Sequence, residues 1–235
     1  MKVNDLKGIY IAHRRIQNDS AIENTFPAFS LAVSKKVPIE LDLHILKDGN
    51  IVVFHDSNLK RLFGIDREIS SYCYEELKEL TFPNTGLHIP LFQEVLDLVG
   101  GKVLLIIEIK QTKIMSFSNY CQKIVSILKD YPYDFVVKSF DIRILHWFLK
   151  HTSYITGLLI ANRKGSFYDF LMHRKWIISC LNPDFLSVDY HIVSNSVIQY
   201  FRKQKPILVW TIRDSDILND IKEEADSYLI EKFYF

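Results

Sequence analysis

Two short segments place chargeable side chains two residues apart. Glu40 and Asp42 flank Leu41, and Glu108 and Lys110 flank Ile109. In an extended strand alternate side chains share a face. Each pair therefore projects to one side, while Ile39, Leu41 and Leu43, and Ile107 and Ile109, project to the other. Three carboxylates gathered at one place repel unless something positive sits among them. A hard divalent cation, Mg²⁺ or Ca²⁺, takes oxygen ligands of this kind. A lattice of ion pairs with Arg14 and Lys110 would neutralise them equally well, and spacing alone leaves both readings open.

Two histidines end apolar runs: His13 after Ile9-Tyr10-Ile11-Ala12, and His55 after Val52-Val53-Phe54. Imidazoles titrate near neutrality and can serve as general acid and general base; each could equally be a hydrogen-bonded structural residue. Arg14 carries a permanent planar charge suited to gripping a phosphate through two hydrogen bonds, or to pairing with a carboxylate. Glu23-Asn24-Thr25 precedes a helical pattern. It reads first as capping chemistry and second as a contribution of Glu23 to a site rim. Trp210 stands in an apolar run, Ile207 to Ile212.

These residues need elements to hold them. Short β-rich runs recur near residues 10, 41, 106, 137, 157, 186, 209 and 229. Between them lie helical patterns, predicted over 24–36, 91–99, 118–129, 142–150, 166–181, 194–204 and 215–225. A shorter one covers 74–80. Lys47-Asp48-Gly49-Asn50 is a hairpin turn that returns the chain through Ile51–Phe54. Eight strands alternating with helices predict an α/β fold, the (β/α)8 TIM barrel, usually about 250 residues long. An open doubly wound sheet competes, but no glycine-rich dinucleotide loop follows a strand. No linker or composition shift divides the chain, which predicts a single domain over residues 1–235. In such a barrel the chemistry belongs at the C-terminal strand ends, where the residues above lie.

Composition bounds the partners. The chain has 29 Lys+Arg against 28 Asp+Glu, a net charge of +1 and 48% hydrophobic residues. That is a globular composition, without the basic excess that bulk phosphate binding by a nucleic-acid partner requires. No leader peptide or run of roughly 20 apolar residues is visible, so no stable membrane insertion is expected. Three widely spaced cysteines (Cys73, Cys121, Cys180) do not suggest a disulfide framework. The expected location is cytoplasmic.

His13-Arg14, Glu23-Asn24-Thr25, Glu40-Leu41-Asp42, Lys47-Asp48-Gly49, Val52-Val53-Phe54-His55-Asp56 and Glu108-Ile109-Lys110 occur in a recognisable order, followed by Ser139-Phe140-Asp141 and Val209-Trp210-Thr211. The chain resembles the glycerophosphodiester phosphodiesterase family over nearly its whole length. The resemblance implies a barrel that cleaves glycerophosphodiesters to glycerol 3-phosphate and an alcohol. It implies one divalent cation, Mg²⁺ or Ca²⁺ with Mn²⁺ as a further candidate, held by Glu40, Asp42 and Glu108. His13 and His55 would be the acid–base pair, and Arg14 and Lys110 would contact phosphate. Glu23 would shape the site near the metal and glycerol moiety, and Trp210 would line the pocket for a small-molecule glycerophosphodiester.

The chain departs from the family pattern at Arg15, where glycine is usual, and in Ile230-Glu231-Lys232-Phe233 at the closing strand. A related lyase or lysophospholipase D, an enzyme acting on polymeric glycerophosphates, and a non-catalytic module with a relict site are the alternative readings. His44 shares the face of Glu40 and Asp42. It is set aside because the family does not require it; His88, His146, His151, His173 and His191 are read as structural or exposed, and Phe233-Tyr234-Phe235 as an exposed-looking aromatic tail that packs against the barrel bottom or a neighbour.

Overall fold

The computed structural model describes residues 1–15, 21–162 and 175–231. Among the described residues nine strands form one sheet: β1 (Tyr10–His13), β2 (Ile39–Ile45), β3 (Ile51–Val53), β4 (Leu105–Ile109), β5 (Phe135–Ser139), β6 (Thr156–Ile160), β7 (Phe185–Asp189), β8 (Ile207–Ile212) and β9 (Ser227–Ile230). All except β3 pair in parallel, and β1 bonds to both β2 and β9. The sheet therefore closes into the eight-stranded parallel barrel expected from the sequence, which leaves no edge. Strand β3 lies outside this ring, antiparallel to the upper half of β2.

The helices are α1 (Phe26–Ser34), α2 (Lys60–Phe63), α3 (Tyr74–Leu77), α4 (Phe92–Val99), α5 (Phe117–Leu128), α6 (Ile142–His151), α7 (Lys175–Leu181), α8 (Ser196–Arg202) and α9 (Ser215–Ile221). Several ends differ from the periodicity-based boundaries, for local reasons. Helix α1 starts after Asn24, which is left-handed at φ 55°, and has a proline in its first turn. Thr25 stands at the cap position, but its hydroxyl donates to the Ile22 carbonyl rather than accepting from the helix. Asp214 does cap α9, accepting from the Asp216 and Ile217 N–H groups. Residues 166–174 of the predicted 166–181 helix lie outside the described residues, as do His173, Lys232 and the Phe233-Tyr234-Phe235 tail. Among the described residues no helix is long and apolar enough to cross a membrane.

Parallel strands covered by helices bury both faces, and the two faces differ here. The outward face (Leu41, Leu43, Ile107, Ile109, Val137) packs against α1, α4, α5 and α6; Leu158, Leu186, Val188 and Val209 do the same on the opposite side. The inward face is apolar only at the bottom, where Ile11, Ile106, Val136, Phe185, Leu208 and Leu229 meet Leu6. Two residues further along the strands, the inward positions are His13, Glu108, Lys138 and Ser187, all buried. Alternation thus stacks a charged layer on an apolar floor. A separate apolar cluster (Leu46, Val52, Phe54, Leu59, Ile69, Leu77, Phe82) anchors the segment that follows the hairpin.

The floor depends on one glycine. The Phe185 ring occupies the space a side chain on Gly157 would take: a Cβ there would lie 2.2 Å from the ring. Gly157→Ala should destabilise the barrel by about 1–3 kcal/mol, as overpacking does. Adding Phe185→Leu should recover a large part of that loss. Urea denaturation of the single and double variants checks both.

Candidate active site

The charged layer is set by strand register. His13 on β1 lies opposite Glu40 on β2, Asp42 lies opposite Glu108 on β4, and Glu108 lies opposite Lys138 on β5. The β2–β3 hairpin adds the second histidine. Gly49 takes φ 88° in the turn, and the Phe54 N–H donates to the Asp42 carbonyl at 3.0 Å. That bond brings the returning arm level with Asp42 and sets His55 at the same mouth. His44 Nε2 donates to the His55 carbonyl at 3.2 Å. Burial pushes His44 down to about 4, so it is a neutral brace for the hairpin.

Glu40 and Asp42 are wholly buried and Glu108 nearly so. One ligand oxygen from each lies within 4.8 Å of the others. Three cations face them, Lys138 buried and Lys110 and Arg14 partly exposed. Lys138 Nζ is 2.8 Å from Glu40 Oε1, Lys110 Nζ is 2.8 Å from Asp42 Oδ1 and also meets Glu108, and Arg14 Nε is 3.3 Å from Asp42 Oδ2. His13 Nε2 is 3.9 Å from Glu40 Oε2. The ion-pair lattice raised by the sequence therefore exists. It does not use up the triad's donor capacity, because each carboxylate offers two oxygens and about four lone pairs. Three hard oxygen donors converging in a buried layer fit a divalent cation, so this is an acidic triad that could bind one.

Burial and neighbours drive the groups apart. Burial raises Glu40 to about 7, against the lowering pull of Lys138 and with help from the negative charges of Asp42 and Glu108. Burial would raise Asp42 too, but Lys110 and Arg14 outweigh it and hold the carboxyl well below the usual range. Burial resists the charge on Lys110, yet Asp42 and Glu108 raise its affinity for its proton. Burial, followed by Arg14 and Lys138, pushes His13 well below its ordinary value. Burial lowers His55 as well, while Asp42 and the bond to Asp56 pull it back up. Opposite shifts on adjoining groups in one cleft are a mark of functional sites.

The rim is tied together by side chains. Arg14 sits at φ 62°; its Nη1 donates to Glu23 Oε1 at 3.3 Å. Asn24, the other left-handed residue here, donates from Nδ2 to Asp42 Oδ2 at 3.1 Å, and from its backbone N–H to the Arg14 carbonyl. Two non-glycine residues in this conformation beside one carboxylate are the kind of strain that gathers at functional sites. Arg15, at the position where the family usually has glycine, is not left-handed, and its guanidinium donates to the Ala21 carbonyl at 2.9 Å. His55 Nδ1 donates to Asp56 Oδ1 at 2.6 Å.

The structure brings His13, Arg14, Glu23, Glu40, Asp42, His55, Glu108 and Lys110 to one end of the barrel. Trp210 stands further round on β8, half-buried and edge-on to Phe140 with 5.9 Å between ring centres. Three partners carry no role in the sequence reading: Lys138, Asn24 as a ligand-carboxylate partner, and Arg61, which binds Glu23 and Asp56. Lys138 had a signal, since it ends a strand and aligns with Glu108. Asn24 looked like helix capping, and Arg61 lies in a segment without clear periodicity.

Known proteins give the arrangement a context. The sequence profile of the glycerophosphoryl diester phosphodiesterase family matches residues 13–231. A glycerophosphodiester phosphodiesterase of Caldanaerobacter subterraneus subsp. tengcongensis is 32% identical over 146 residues, which is 58% of this chain and 59% of that protein. The match thus spans about three fifths of that relative's length. The crystal structure of a glycerophosphodiester phosphodiesterase from Thermotoga maritima is 31% identical and aligns with a TM-score of 0.76 over 94% of this chain and 93% of its own. A phosphodiesterase of Oleispira antarctica, solved in complex with sn-glycerol-3-phosphate, is 20% identical and shares the fold with a TM-score of 0.82 over 97% and 94%.

Removing Lys138 tests the lattice. Lys138→Met leaves Glu40 buried without its counter-charge and should cost about 3–5 kcal/mol in metal-free protein at pH 8. A carboxyl whose folded-state pKa is raised destabilises the fold as pH climbs from its unfolded value of 4.5 through the folded one. The loss should therefore shrink at pH 5, where Glu40 is protonated. Adding Glu40→Gln should abolish most of the pH dependence, read by chemical denaturation at both pH values.

Proposed function

The chain belongs to the glycerophosphoryl diester phosphodiesterase family, and from that premise we propose that it hydrolyses glycerophosphodiesters to glycerol 3-phosphate and an alcohol in a metal-dependent reaction. One observation carries the reading: two histidines, an arginine and a lysine surround a buried carboxylate triad at the C-terminal mouth of the barrel. A glycosidase-like pair of carboxylates would need neither the histidines nor Arg14. The product bound to the Oleispira antarctica protein lends support to glycerol 3-phosphate.

In this mechanism Glu40, Asp42 and Glu108 would hold one divalent cation, Mg²⁺ or Ca²⁺, with Mn²⁺ as an alternative. When bound, it would supply Lewis-acid withdrawal of charge from the phosphoryl group. Arg14 and Lys110 bind the phosphate, and Glu23 keeps Arg14 turned toward the site through their ion pair. Trp210 closes one side of the pocket. His13 and His55 transfer the protons. Depressed affinities favour the neutral imidazole near pH 7, so either has a lone pair to accept a proton from the attacking water, or from the substrate's own glycerol hydroxyl, in which case water then opens the cyclic phosphate. His55 is the better built to carry the proton, because Asp56 on its Nδ1 stabilises the imidazolium. The other histidine enters this step as the imidazolium, the minority form near pH 7, and gives that proton to the leaving alkoxide; the proton gained by the first histidine then passes back through solvent and resets the pair. The proposal takes residues 1–235 as one domain acting on a small-molecule substrate. The free thiols Cys73, Cys121 and Cys180 fit a reducing cytoplasm.

A panel of glycerophosphodiesters, assayed for glycerol 3-phosphate with Mg²⁺, Mn²⁺, Ca²⁺ or chelator, tests the reading. Turnover should vanish with chelator and return with one of the cations. His13→Ala and His55→Ala should each lower turnover roughly 10²–10⁴-fold. Undiminished activity in chelator would remove the metal from the mechanism. Accumulation of a cyclic phosphate in phosphorus NMR would replace hydrolysis by a lyase reaction.

A further inference from the structure

The rim contains an arginine that the proposed chemistry does not use. Arg61 lies on α2, and each of its three guanidinium nitrogens donates to a carboxylate. Nε donates to Asp56 Oδ2 at 2.6 Å, Nη1 to Glu23 Oε2 at 3.0 Å, and Nη2 to Glu23 Oε1 at 2.6 Å. Those carboxylates come from distant parts of the chain: Glu23 precedes α1, and Asp56 follows the hairpin arm. Each reaches into the site. Glu23 pairs with Arg14 at 3.3 Å, and Asp56 accepts from His55 Nδ1 at 2.6 Å. Arg61 itself is 46% exposed, a setting in which an ion pair adds little stability. A planar fork held at both ends instead fixes direction.

We infer that Arg61 is a positioning residue that clamps Asp56 and Glu23, so that Asp56 holds the His55 ring in the Nδ1–H tautomer and leaves Nε2 for proton transfer. An imidazole that donates from Nδ1 to a carboxylate keeps its lone pair on Nε2. Asp56 is partly exposed, so a second partner is needed to keep its carboxylate from turning to solvent. Arg61 Nε is that partner, on the oxygen opposite the one facing His55. A competing role is direct contact with substrate, since a cavity of about 430 Å³ lined by His55, Asp56, Ser57, Asn58, Lys60 and Arg61 opens at this point. The commitment of all three nitrogens to carboxylates favours the clamp.

The clamp rests on His55 having a proton-transfer role, so its test reads the ring as well as turnover. The ¹⁵N signals of histidine in the substrate-free protein, at about pH 8 where imidazole is neutral, report the tautomer; the signal of His55 is the one missing from His55→Gln. The wild type should show a single Nδ1–H form. Arg61→Met should show averaged tautomers and a kcat about 10–100-fold lower, the scale of lost support behind a functional side chain, with KM within about 3-fold. Arg61→Lys keeps the charge without the fork. It should keep the melting temperature within about 3 °C and still show averaging. An unchanged tautomer in both variants overturns the clamp. A loss carried by KM alone assigns Arg61 to substrate binding and overturns it equally. If the wild type turns over no glycerophosphodiester, the functional reading falls, while the tautomer measurement still decides the clamp.

Discussion

Three carboxylate oxygens within 4.8 Å of one another, inside a barrel that shields them from water, set the terms for the rest of the molecule. Charges in such a place are tolerable only when paired. The neighbouring strands supply the partners: Lys138 from β5, Lys110 from beyond β4, Arg14 from beyond β1. Three cations face three anions, so the layer is balanced before any metal arrives. A divalent ion added there would leave an excess of positive charge, which is what a phosphodiester anion requires.

The barrel can hold such a layer because its interior is graded. Apolar side chains seal the floor around Phe185, and the next inward residues on the same strands are charged. The grading follows from alternation along parallel strands in register. Among the described residues the β2–β3 hairpin breaks the repeating pattern, and it is where the second histidine comes from. Its apolar cluster under Phe54, Leu59 and Phe82 gives the rim segment an anchorage of its own.

Much of this is legible in the order of residues alone. The i, i+2 spacing of Glu40 with Asp42, and of Glu108 with Lys110, depends only on strand geometry, so their shared face reads directly. The same holds for the eight strands and for the Asp48-Gly49 turn. What escapes has a common cause. Lys138 and Glu40 sit on strands that are not neighbours in the ring, and Arg61 and Glu23 are 38 residues apart. Contacts that depend on barrel closure or loop path leave no local periodicity. Asn24 is obscured differently: its residue type suits a helix cap, and only the left-handed backbone shows its amide turned to Asp42 instead.

The sequence by itself determined the alternation of strand and helix, the shared face within each i, i+2 pair, the strand-end place of both histidines and the family resemblance, because each is written in residue type, order and short-range spacing. Whether the triad was neutralised by a metal or by ion pairs could not be read there, since the answer depends on which cations closure of the barrel brings within about 3–4 Å. The tertiary structure decided that the ion pairs form and that free oxygen lone pairs remain for a cation. It also decided that Asp56 and Arg61 stand behind His55. Charge interactions depend on distance through space, and distance through space is what the fold adds to the order of residues.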